Sequence, residues 1–361
     1  MFIVAHNGAH VWGGAERAVA LLLAGLAARG HRVLLCCNDP MVAERAAALG
    51  VPTELQPLGG DVAVHHALQF ARMLRRHRPD VLLIGTFKKM WLAALAARLA
   101  RVPRVVARVG LETDTPRSWK YRAVLGRWVD AVVVNAARMR PAYVALPGWS
   151  DGRVTVIYNG VRRPAQSRPP GSVRRELGLG PEVPLVGAVA RLARQKRLDR
   201  LLDALALLPA DVHCLLAGDG EERKGLQAHA RALGLGSRVH FLGARTDVGD
   251  VLEALDVFVV SSDREGMSNA MLEALAAGTP VVSTPVSGAE EALEPLPDGN
   301  PPGEVVDLDP TEIAAAIGRL LGDSERLQAM SAAAARRGRE RFSFERMLDG
   351  WETVLRGTGT A

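Results

Sequence analysis

The sequence predicts an α/β protein of two Rossmann-like domains, and three observations support this prediction. The chain has 361 residues, a length typical of two domains of ordinary size. Short apolar runs alternate with longer amphipathic stretches, which predicts parallel strands joined by right-handed helical crossovers. The alternation breaks once, between Val161 and Pro184, where prolines and glycines indicate an interdomain linker, and then begins again.

The individual elements follow from this alternation, and we expect domains at residues 1–162 and 163–343. The predicted strands of the first domain are Phe2–Ala5, Val33–Cys37, Val81–Ile84, Val105–Val109, Ala131–Val134 and Val154–Ile157. Those of the second domain are Leu185–Val189, Val212–Ala217, Val239–Leu242, Val257–Val260 and Pro280–Val282. The C-terminal part is predicted to be helical over Thr311–Leu321, Ser324–Arg341 and Phe344–Arg356.

The composition is typical of a soluble protein in a reducing compartment. Three cysteines are too few, and wrongly spaced, for a disulfide framework or a zinc site, so we expect buried thiols. No window holds the roughly eighteen uninterrupted apolar residues of a membrane span. The chain also opens on an apolar run without the charged start of a signal peptide, and we therefore expect a cytoplasmic protein.

The net charge of +6 is distributed unevenly. Residues 1–160 contain 21 Lys and Arg against 10 Asp and Glu, a net charge of +11, whereas the rest contains 24 against 29, a net charge of −5. A basic first half can attract an anionic acceptor, a nucleic acid or an acidic membrane, or it can be a solvated arginine-rich surface. Basic and aromatic residues from Arg117 to Trp128 allow an interfacial helix, although an ordinary amphipathic helix is favoured.

Two glutamates frame the segment that is most indicative of function. A strand is predicted to end before Glu265, and a helix capped by Ser268 or Asn269 is predicted to carry Glu273 and to end at Gly278. The N-terminus of this helix points into the crevice at the carboxyl end of the sheet, where open α/β sheets bind ligands and free N–H groups favour phosphate. Carboxylates in this position suit sugar hydroxyls, including those of ribose.

This segment resembles a family signature. The run Glu-Gly-Met-Ser-Asn-Ala-Met-Leu-Glu, followed by Ala-Gly-Thr-Pro-Val-Val, is similar to the E-x7-E motif of the retaining glycosyltransferases of family 4. The resemblance implies the GT-B fold, in which two Rossmann-like domains face each other across a cleft and the last helix, residues 344–357, packs back on the first. It implies that Glu265 binds the hydroxyls of the donor sugar and Glu273 the ribose. The residues that would line the donor site between them are Gly266, Met267, Ser268 and Asn269.

The resemblance extends to two cations after the first strand of the second domain. Arg191 and Lys196 match the family's Arg and Lys pair, which implies that both contact the donor diphosphate and stabilise the departing nucleoside diphosphate. The family usually has glycine after this lysine, and the arginine at position 197 is a small departure. Further matches to donor-binding elements are the glycine-rich loop at Gly13 and Gly14, the turn at Gly218 and Asp219, and Arg245 beside the base.

The acceptor side departs from the family. Many members carry a histidine just after the strand that reads Val105–Val109 here, and Val109 is the nearest match to it. The loss is compatible with transfer, because in a front-face reaction the leaving phosphate takes the proton of the acceptor. We consider His10, Arg108 and Val109 as acceptor-side candidates.

We therefore predict a retaining glycosyltransferase that moves a hexose or N-acetylhexosamine from a UDP-sugar, favoured over a GDP-sugar, to a hydroxyl of a glycan, lipid-linked or small-molecule acceptor. Arg191, Lys196 and Glu265 are its predicted catalytic residues. We expect no metal and no cofactor, because cations and helix N-termini supply the positive charge. The expected partners are the nucleotide sugar and the acceptor, with peripheral contact to the inner face of the membrane allowed and no nucleic acid.

Two alternatives remain open at this point. A sugar-nucleotide epimerase of the GT-B fold would bind the same donor without an acceptor, and a catalytically silent subunit would bind it without turnover. The intact set of Arg191, Lys196, Glu265 and Glu273 favours transfer. A nicotinamide-dependent oxidoreductase is disfavoured, because no Gly-x-Gly-x-x-Gly follows the first strand.

Overall fold

The structure is a computed structural model that describes residues 1–59, 63–85, 90–111, 119–146, 149 and 151–358, without the side chains of 119–121 and 151. The chain divides into two compact units. The first unit comprises Met1–Asn159 and Glu345–Ala361, and the second comprises Gly160–Phe344. The division after Asn159 lies three residues before the boundary expected from the linker.

The first unit contains a parallel sheet in the order β3-β2-β1-β4-β5-β6-β7. Its strands are β1 (Phe2–Asn7), β2 (Arg32–Cys37), β3 (Thr53–Leu55), β4 (Val81–Ile84), β5 (Arg104–Val109), β6 (Ala131–Val134) and β7 (Val154–Val156). The helices between them are α1 (Gly14–Ala28), α2 (Pro40–Ala47), α3 (Val64–His77), α4 (Met90–Ala100), α5 (Trp119–Trp128) and α6 (Arg140–Val144).

The second unit repeats this plan with a parallel sheet in the order β10-β9-β8-β11-β12-β13. Its strands are β8 (Leu185–Val189), β9 (His213–Ala217), β10 (Val239–Gly243), β11 (Val257–Val260), β12 (Val281–Ser283) and β13 (Gly303–Val305). Its helices are α7 (Ser172–Glu176), α8 (Leu198–Ala206), α9 (Arg223–Ala232), α10 (Val248–Ala254), α11 (Asn269–Ala277), α12 (Ala289–Leu293), α13 (Pro310–Leu321) and α14 (Ser324–Glu340).

Helices cover both sheets, which explains why the strands read as continuous apolar runs rather than as alternating ones. Residues 2–7 of β1, for example, are all buried. All eleven predicted strands are present, and the sequence analysis missed only β3 and β13 among the described strands. Each of those two has three residues, too few for a recognisable apolar run. The three cysteines are free and buried as expected, and burial raises the pKa of Cys214 to about 12.

The final helix, α15 (Phe344–Arg356), belongs to the first unit from Glu345 onward. Arg29 on this unit forms an ion pair with Glu345 at 2.7 Å, and His31 Nε2 lies 3.0 Å from Glu352 Oε1. The buried side chains of α15 recur at the spacing of one helix face, which anchors the helix by apolar burial. They are Phe344, Met347, Leu348, Trp351, Val354 and Leu355.

Candidate active site

The strand order of the second unit creates a crevice at one position. The chain builds outward from β8 on one side through β9 and β10, and on the other through β11, β12 and β13. Ligands of open α/β sheets bind where the order reverses, at the carboxyl ends of the two central strands. Arg191 and Lys196 follow β8, and Glu265 follows β11. The topology therefore brings residues about seventy positions apart in sequence to one point.

Helix α11 follows this crevice with the termini expected from its sequence. Ser268 is the N-cap in extended conformation, and its hydroxyl accepts a hydrogen bond from the N–H of Met271 at 3.4 Å. The helix ends at Gly278, whose φ of +91° is the left-handed conformation that glycine adopts without strain. Ser331 of α14 donates to the carbonyl of Gly278 at 2.6 Å, which fixes the far end of the helix. This contact at the C-terminal end of α11 thus helps to keep the N-terminal end of the helix at the crevice.

Lys196 and Glu265 form an ion pair between their side chains. Ser262 donates a second hydrogen bond to the same carboxylate oxygen at 2.8 Å, and Ser261 donates to the carbonyl of Lys196 at 3.0 Å. The lysine and glutamate side chains are only 19% and 12% exposed, so water screens the pair less than it screens a surface ion pair. These contacts join the loop after β8 to the loop after β11 and orient the ammonium and carboxylate together.

Arg191 differs from Lys196 because its side chain is largely in solvent. It is 52% exposed, and its Nη1 lies 3.9 Å from a carboxylate oxygen of Glu221, which is 58% exposed. An ion pair of this length and exposure contributes little to stability. Arg191 also lines a cavity of about 930 Å³ together with Glu221, Glu222 and Asp263. The guanidinium is therefore available to an incoming anion.

The turn after β9 supports the loop that carries Arg191. A Cβ atom on Gly218, where φ is +139°, would lie 1.8 Å from the carbonyl oxygen of Ala190, and one on Gly220 would lie 2.4 Å from that of Leu192. The N–H of Leu192 donates to the carbonyl of Asp219 at 2.9 Å. Glycine is required here because two loops approach each other closely, which is a packing role beside the predicted contact to the donor.

Arg197 occupies a backbone position that favours glycine. Its φ is +48°, which explains why the related family has glycine after the lysine. Its guanidinium contacts the carboxylates of Asp199 at 3.0 Å and Asp263 at 3.2 Å, and Arg200 contacts Asp263 at 2.9 Å. Burial alone would raise the pKa of Asp263, but the hydrogen bonds from Arg200 and Arg197 outweigh it and lower the pKa. The ion pairs of Arg197 thus offset the strain of a left-handed conformation that glycine would adopt without strain.

The remaining donor-side candidates of the second unit have different surroundings. Gly266 and Met267 are buried, and Asn269 and Glu273 are half-buried on α11, four residues apart and therefore on one face. The guanidinium of Arg245 contacts Asp247 at 2.7 Å and also a neighbouring glutamate, so it is committed to an ion cluster. Hydrogen bonds from Arg245 lower the pKa of Asp247 to about 2. The predicted base contact of Arg245 stays a prediction.

In the first unit, the glycine loop leads directly into α1. Gly13 is the N-cap, Gly14 is the first helical residue, and the N–H of Gly13 donates to a carboxylate oxygen of Glu16 at 3.0 Å. This hydrogen bond from a main-chain N–H to a side-chain carboxylate satisfies one of the donors at the helix N-terminus. His10 precedes the loop, is 65% exposed, and lies 3.6 Å from the carboxylate of Asp39. The predicted acceptor contact of His10 stays a prediction.

Arg108 and Val109, at the end of β5, have opposite surroundings. Val109 is 1% exposed and packs in the apolar core of the first unit. Arg108 is 7% exposed on the other face of the sheet, and its Nη2 donates to Asn159 Oδ1 at 3.2 Å. Burial lowers the pKa of the Arg108 guanidinium, partly offset by the carboxylate of Glu16. Arg108 is therefore the polar group that the structure places at this strand end.

Within the described ranges, no group of three or more His, Cys, Asp and Glu side chains is arranged to hold a metal ion. No described helix has the length and apolarity needed to cross a membrane. Of the basic and aromatic segment from Arg117 to Trp128, residues 117 and 118 lie outside the described residues, and the rest forms helix α5.

Two family profiles match the chain consecutively. The profile of Glycosyltransferase Family 4 matches residues 12–163, and the profile of Glycosyl transferases group 1 matches residues 172–337. A lipopolysaccharide core biosynthesis glycosyltransferase of Rhizobium meliloti, LpsE, is 32% identical over 80% of this chain and 79% of its own length. A second one from the same organism, LpsD, is 28% identical over 78% of this chain and 76% of its own length.

Solved structures show the same fold. Anabaena Alr3699/HepE, in a crystal structure with UDP, superimposes with a TM-score of 0.86 at 23% identity and covers 99% of this chain and 100% of its own. The lipopolysaccharide glycosyltransferase WaaG gives a TM-score of 0.74 at 18% identity over 98% of this chain and 100% of its own. Two parallel-sheet Rossmann-like units of this kind define the GT-B fold, and the protein is a GT-B glycosyltransferase.

The chain belongs to glycosyltransferase family 4. The sequence-based predictions of fold, family and enzyme class are thereby confirmed. The roles of the individual site residues stay predictions.

Sequence reasoning missed several residues that organise the site. Ser262 hydrogen-bonds Glu265, and Arg200 with Asp263 braces the loop after β8. In the first unit, Asn135 and Asn159 flank Arg108. For all of these except Arg200, which lies on α8, the available signal was a position shortly after a strand. Side chains at the carboxyl ends of parallel strands share one edge of the sheet.

Proposed function

We propose that this enzyme transfers a hexose or N-acetylhexosamine, with retention of anomeric configuration, from a UDP-sugar to a hydroxyl of a glycan, lipid-linked or small-molecule acceptor. The observation that supports this most directly is the Lys196–Glu265 pair at the reversal point of the second sheet. A cation, a carboxylate and a helix N-terminus at one crevice suit a molecule that combines a diphosphate with a hydroxyl-rich sugar.

Each charged group has a distinct task in this proposal. Lys196 and Arg191 bind the diphosphate and stabilise the negative charge that develops as the bond to the anomeric carbon breaks. Glu265 accepts hydrogen bonds from hydroxyls of the donor sugar, and Glu273 accepts them from ribose. The acceptor hydroxyl forms the new bond on the face that the diphosphate leaves, and its proton passes to the leaving phosphate oxygen.

Glu265 also has a second role in this proposal, which is to orient Lys196. The pair fixes the ammonium beside the crevice through a carboxylate that Ser262 also holds. A preorganised cation needs no rearrangement when charge develops, which is where electrostatic catalysis gains most. With two cations and the start of α11 supplying positive charge, transfer needs no metal ion. Activity should therefore persist in EDTA.

The names of related proteins support the choice of substrates. HepE has been crystallised with UDP and with UDP-glucose, which favours a UDP-sugar over a GDP-sugar. The Rhizobium relatives are named for lipopolysaccharide core biosynthesis, and a 35% identical Mycolicibacterium gilvum relative, over 45% of this chain, is a D-inositol 3-phosphate glycosyltransferase. Family membership also favours transfer over an epimerase or a silent subunit.

We also propose that the enzyme is cytoplasmic and contacts the inner face of the membrane. The basic first half of the chain supports the membrane contact. Its net charge of +11 would attract anionic lipids through long-range electrostatics. Co-sedimentation with vesicles of phosphatidylglycerol and phosphatidylcholine tests this contact. Binding should weaken as salt increases, and equal recovery with purely neutral vesicles would contradict it.

A nucleotide screen tests the donor assignment. UDP should raise the melting temperature of the full chain more than GDP or ADP, because a ligand that binds only the folded state stabilises it by mass action. UDP-sugars that pass the screen are then incubated with candidate acceptors, and NMR of the product reports the anomeric configuration. An inverted product would contradict retention, and a new sugar nucleotide without released UDP would indicate an epimerase.

Glu265→Gln tests the site itself. The variant keeps the shape but loses the charge that holds Lys196, and we expect transfer to fall about a hundredfold. Glu290→Gln on α12 is the matched control, because Glu290 is an exposed glutamate of the same unit. Full activity in Glu265→Gln would overturn the proposed role.

A further inference from the structure

The first unit has a polar cluster at the carboxyl ends of three neighbouring strands. Arg108 is on β5, Asn135 follows β6, and Asn159 lies beyond β7. All three side chains are buried, at 7%, 4% and 8% exposure. We call these three residues the anion cluster. Their position is the edge of the sheet where parallel α/β sheets bind ligands.

Arg108 is a buried cation whose neighbours do not balance its charge closely. Its one side-chain hydrogen bond within the described part of the chain goes to the neutral amide of Asn159, at 3.2 Å. No carboxylate of the described residues forms an ion pair with it, and Glu16 acts on it only through longer-range attraction. Burying a guanidinium without a close anion is costly, and the lowered pKa of Arg108 is consistent with this cost. An anionic ligand would remove the imbalance.

Asn135 adds a second unsatisfied group beside this cation. Its Oδ1 is buried without a hydrogen-bond partner, and its Nδ2 reaches the carbonyl of Gly110 only at 3.4 Å. Buried polar atoms normally have partners, so an unpartnered acceptor indicates a donor supplied from outside. A hydroxyl group would meet this requirement.

Gly110 leaves open the space on which both side chains converge. A Cβ atom built there would lie 3.4 Å from Arg108 Nη1 and 3.9 Å from Asn135 Nδ2. Its φ is outside the left-handed region, so this glycine is not required by the backbone conformation. Its effect is that residue 110 itself places no side chain between the guanidinium and the amide.

We propose that the anion cluster binds a carboxylate or phosphate on a hydroxyl-bearing acceptor, so that the acceptor is an acidic sugar or a sugar phosphate. This inference rests on the proposed transfer to a hydroxyl. The planar guanidinium of Arg108 donates two parallel hydrogen bonds to the anionic group, a geometry that carboxylate and phosphate both accept. Asn135 Oδ1 accepts from an adjacent hydroxyl. The cluster thereby selects acceptors by charge, next to Val109, the residue that matches the histidine of many family members.

Three probes of matched shape test this selection in the full chain. Glucuronate carries a carboxylate, glucose 6-phosphate carries a phosphate, and glucose is neutral. Ligand-observed NMR titrations are made with saturating UDP, so that the cations of the second unit are occupied. We expect at least one of the two anions to bind about tenfold more tightly than glucose, as a charge-assisted hydrogen-bonded pair predicts. The comparison of the two anions identifies the group that fits.

Variants then assign the preference to the cluster. Arg108→Gln should bring the affinities for anion and glucose to within about twofold of each other, because only the charge-assisted bonds distinguish them. Asn135→Asp should do the same by placing a carboxylate beside the anion. Arg153→Gln is the matched control: Arg153 is another part-buried arginine of this unit, whose guanidinium packs 4.3 Å over the ring of Trp149. It should lower the melting temperature and keep the preference.

Several results would overturn the inference. Equal affinity of the wild type for all three probes would do so, as would a preference that survives Arg108→Gln. If Arg108→Gln does not fold, Arg108→Lys keeps the charge without the fork, and an unchanged preference in that variant would also contradict bidentate binding. Loss of UDP affinity in either variant would reassign Arg108 to the donor. If the wild type does not bind UDP, that result contradicts the proposed function. The preference for anions over glucose can still be measured in that case, so the two failures are distinguishable.

Discussion

The carboxyl edges of the two sheets carry charge in different ways. In the second unit, Lys196 pairs with Glu265, and Arg197 shares Asp263 with Arg200. In the first unit, Arg108 is buried against neutral amides. Opposite charges at the second edge fix one another in place, whereas the first edge keeps an unbalanced cation. Two sheets of similar topology thus provide a preorganised site at one edge and a charge-selective one at the other.

The largest expected effect comes from removing the Lys196–Glu265 ion pair at the carboxyl edge of the second sheet. Lys196→Ala should reduce kcat/KM for transfer by about a hundred- to a thousandfold, because it removes the charge that we propose stabilises the leaving diphosphate. The melting temperature should also decrease, because the Glu265 side chain, which is only 12% exposed, loses its paired cation. Steady-state rates and thermal unfolding measure the two quantities. Lys224→Ala, an exposed lysine on α9, is the control.

Glycine-to-alanine substitutions compare the packing of the two edges. Gly218→Ala should destabilise the protein by about 2–4 kcal/mol, because its Cβ would overlap the carbonyl of Ala190 at a positive φ. Gly110→Ala should cost less than about 1 kcal/mol, because its Cβ would approach the ends of the Arg108 and Asn135 side chains no closer than 3.4 Å. Urea unfolding compares them, and equal losses would contradict a tighter second edge.

A pair of substitutions at Arg197 separates backbone strain from ion pairing. Arg197→Ala loses the contacts to Asp199 and Asp263 while keeping a side chain at φ +48°. Arg197→Gly loses the same contacts but relieves about 1 kcal/mol of strain. The glycine variant should therefore be the more stable of the two by about 1 kcal/mol in urea unfolding. If alanine is equally stable, the left-handed position carries no strain.

The sequence was informative about the second edge because its residues lie in continuous motifs. Glu265 to Glu273 is one loop and helix start, and Arg191 and Lys196 share one loop. The order of the strands, and hence the meeting of Lys196 with Glu265, is a property of the topology that no local pattern records. Family resemblance supplied that step, and the profile matches confirmed the family.

The first edge could not be predicted in the same way. Arg108, Asn135 and Asn159 are separated by 27 and 24 positions, and each is a single polar residue after an apolar run. Such residues are common after strands, so only their convergence in three dimensions distinguishes them. The ion pairs of Arg245 could not be predicted from the sequence either. One of its partners, Glu176, lies on α7, within the predicted linker.

The smallest expected effect lies on the second sheet away from its carboxyl edge. His213, the first residue of β9, stacks on His240 of β10 with 3.0 Å between Nδ1 and Nε2. Burial lowers the pKa of both below the ordinary value of 6.5, and nearby positive charge lowers that of His213 further. The unfolded chain therefore takes up protons at a pH where the folded pair remains neutral. Stability should be complete above about pH 6.5 and decrease as the pH falls below it.

His240→Gln removes one member of the pair and should flatten this dependence. The free energy of unfolding from urea titrations at pH 5 to 8 gives the slope. The value at pH 8, where both histidines are neutral, isolates the packing cost of the substitution. UDP affinity at pH 8 should remain that of the wild type, because β9 begins at the edge of the sheet opposite to Lys196 and Glu265. A slope as steep as that of the wild type would show that the acid sensitivity arises elsewhere, and a loss of UDP affinity would show that the two edges of this sheet are coupled.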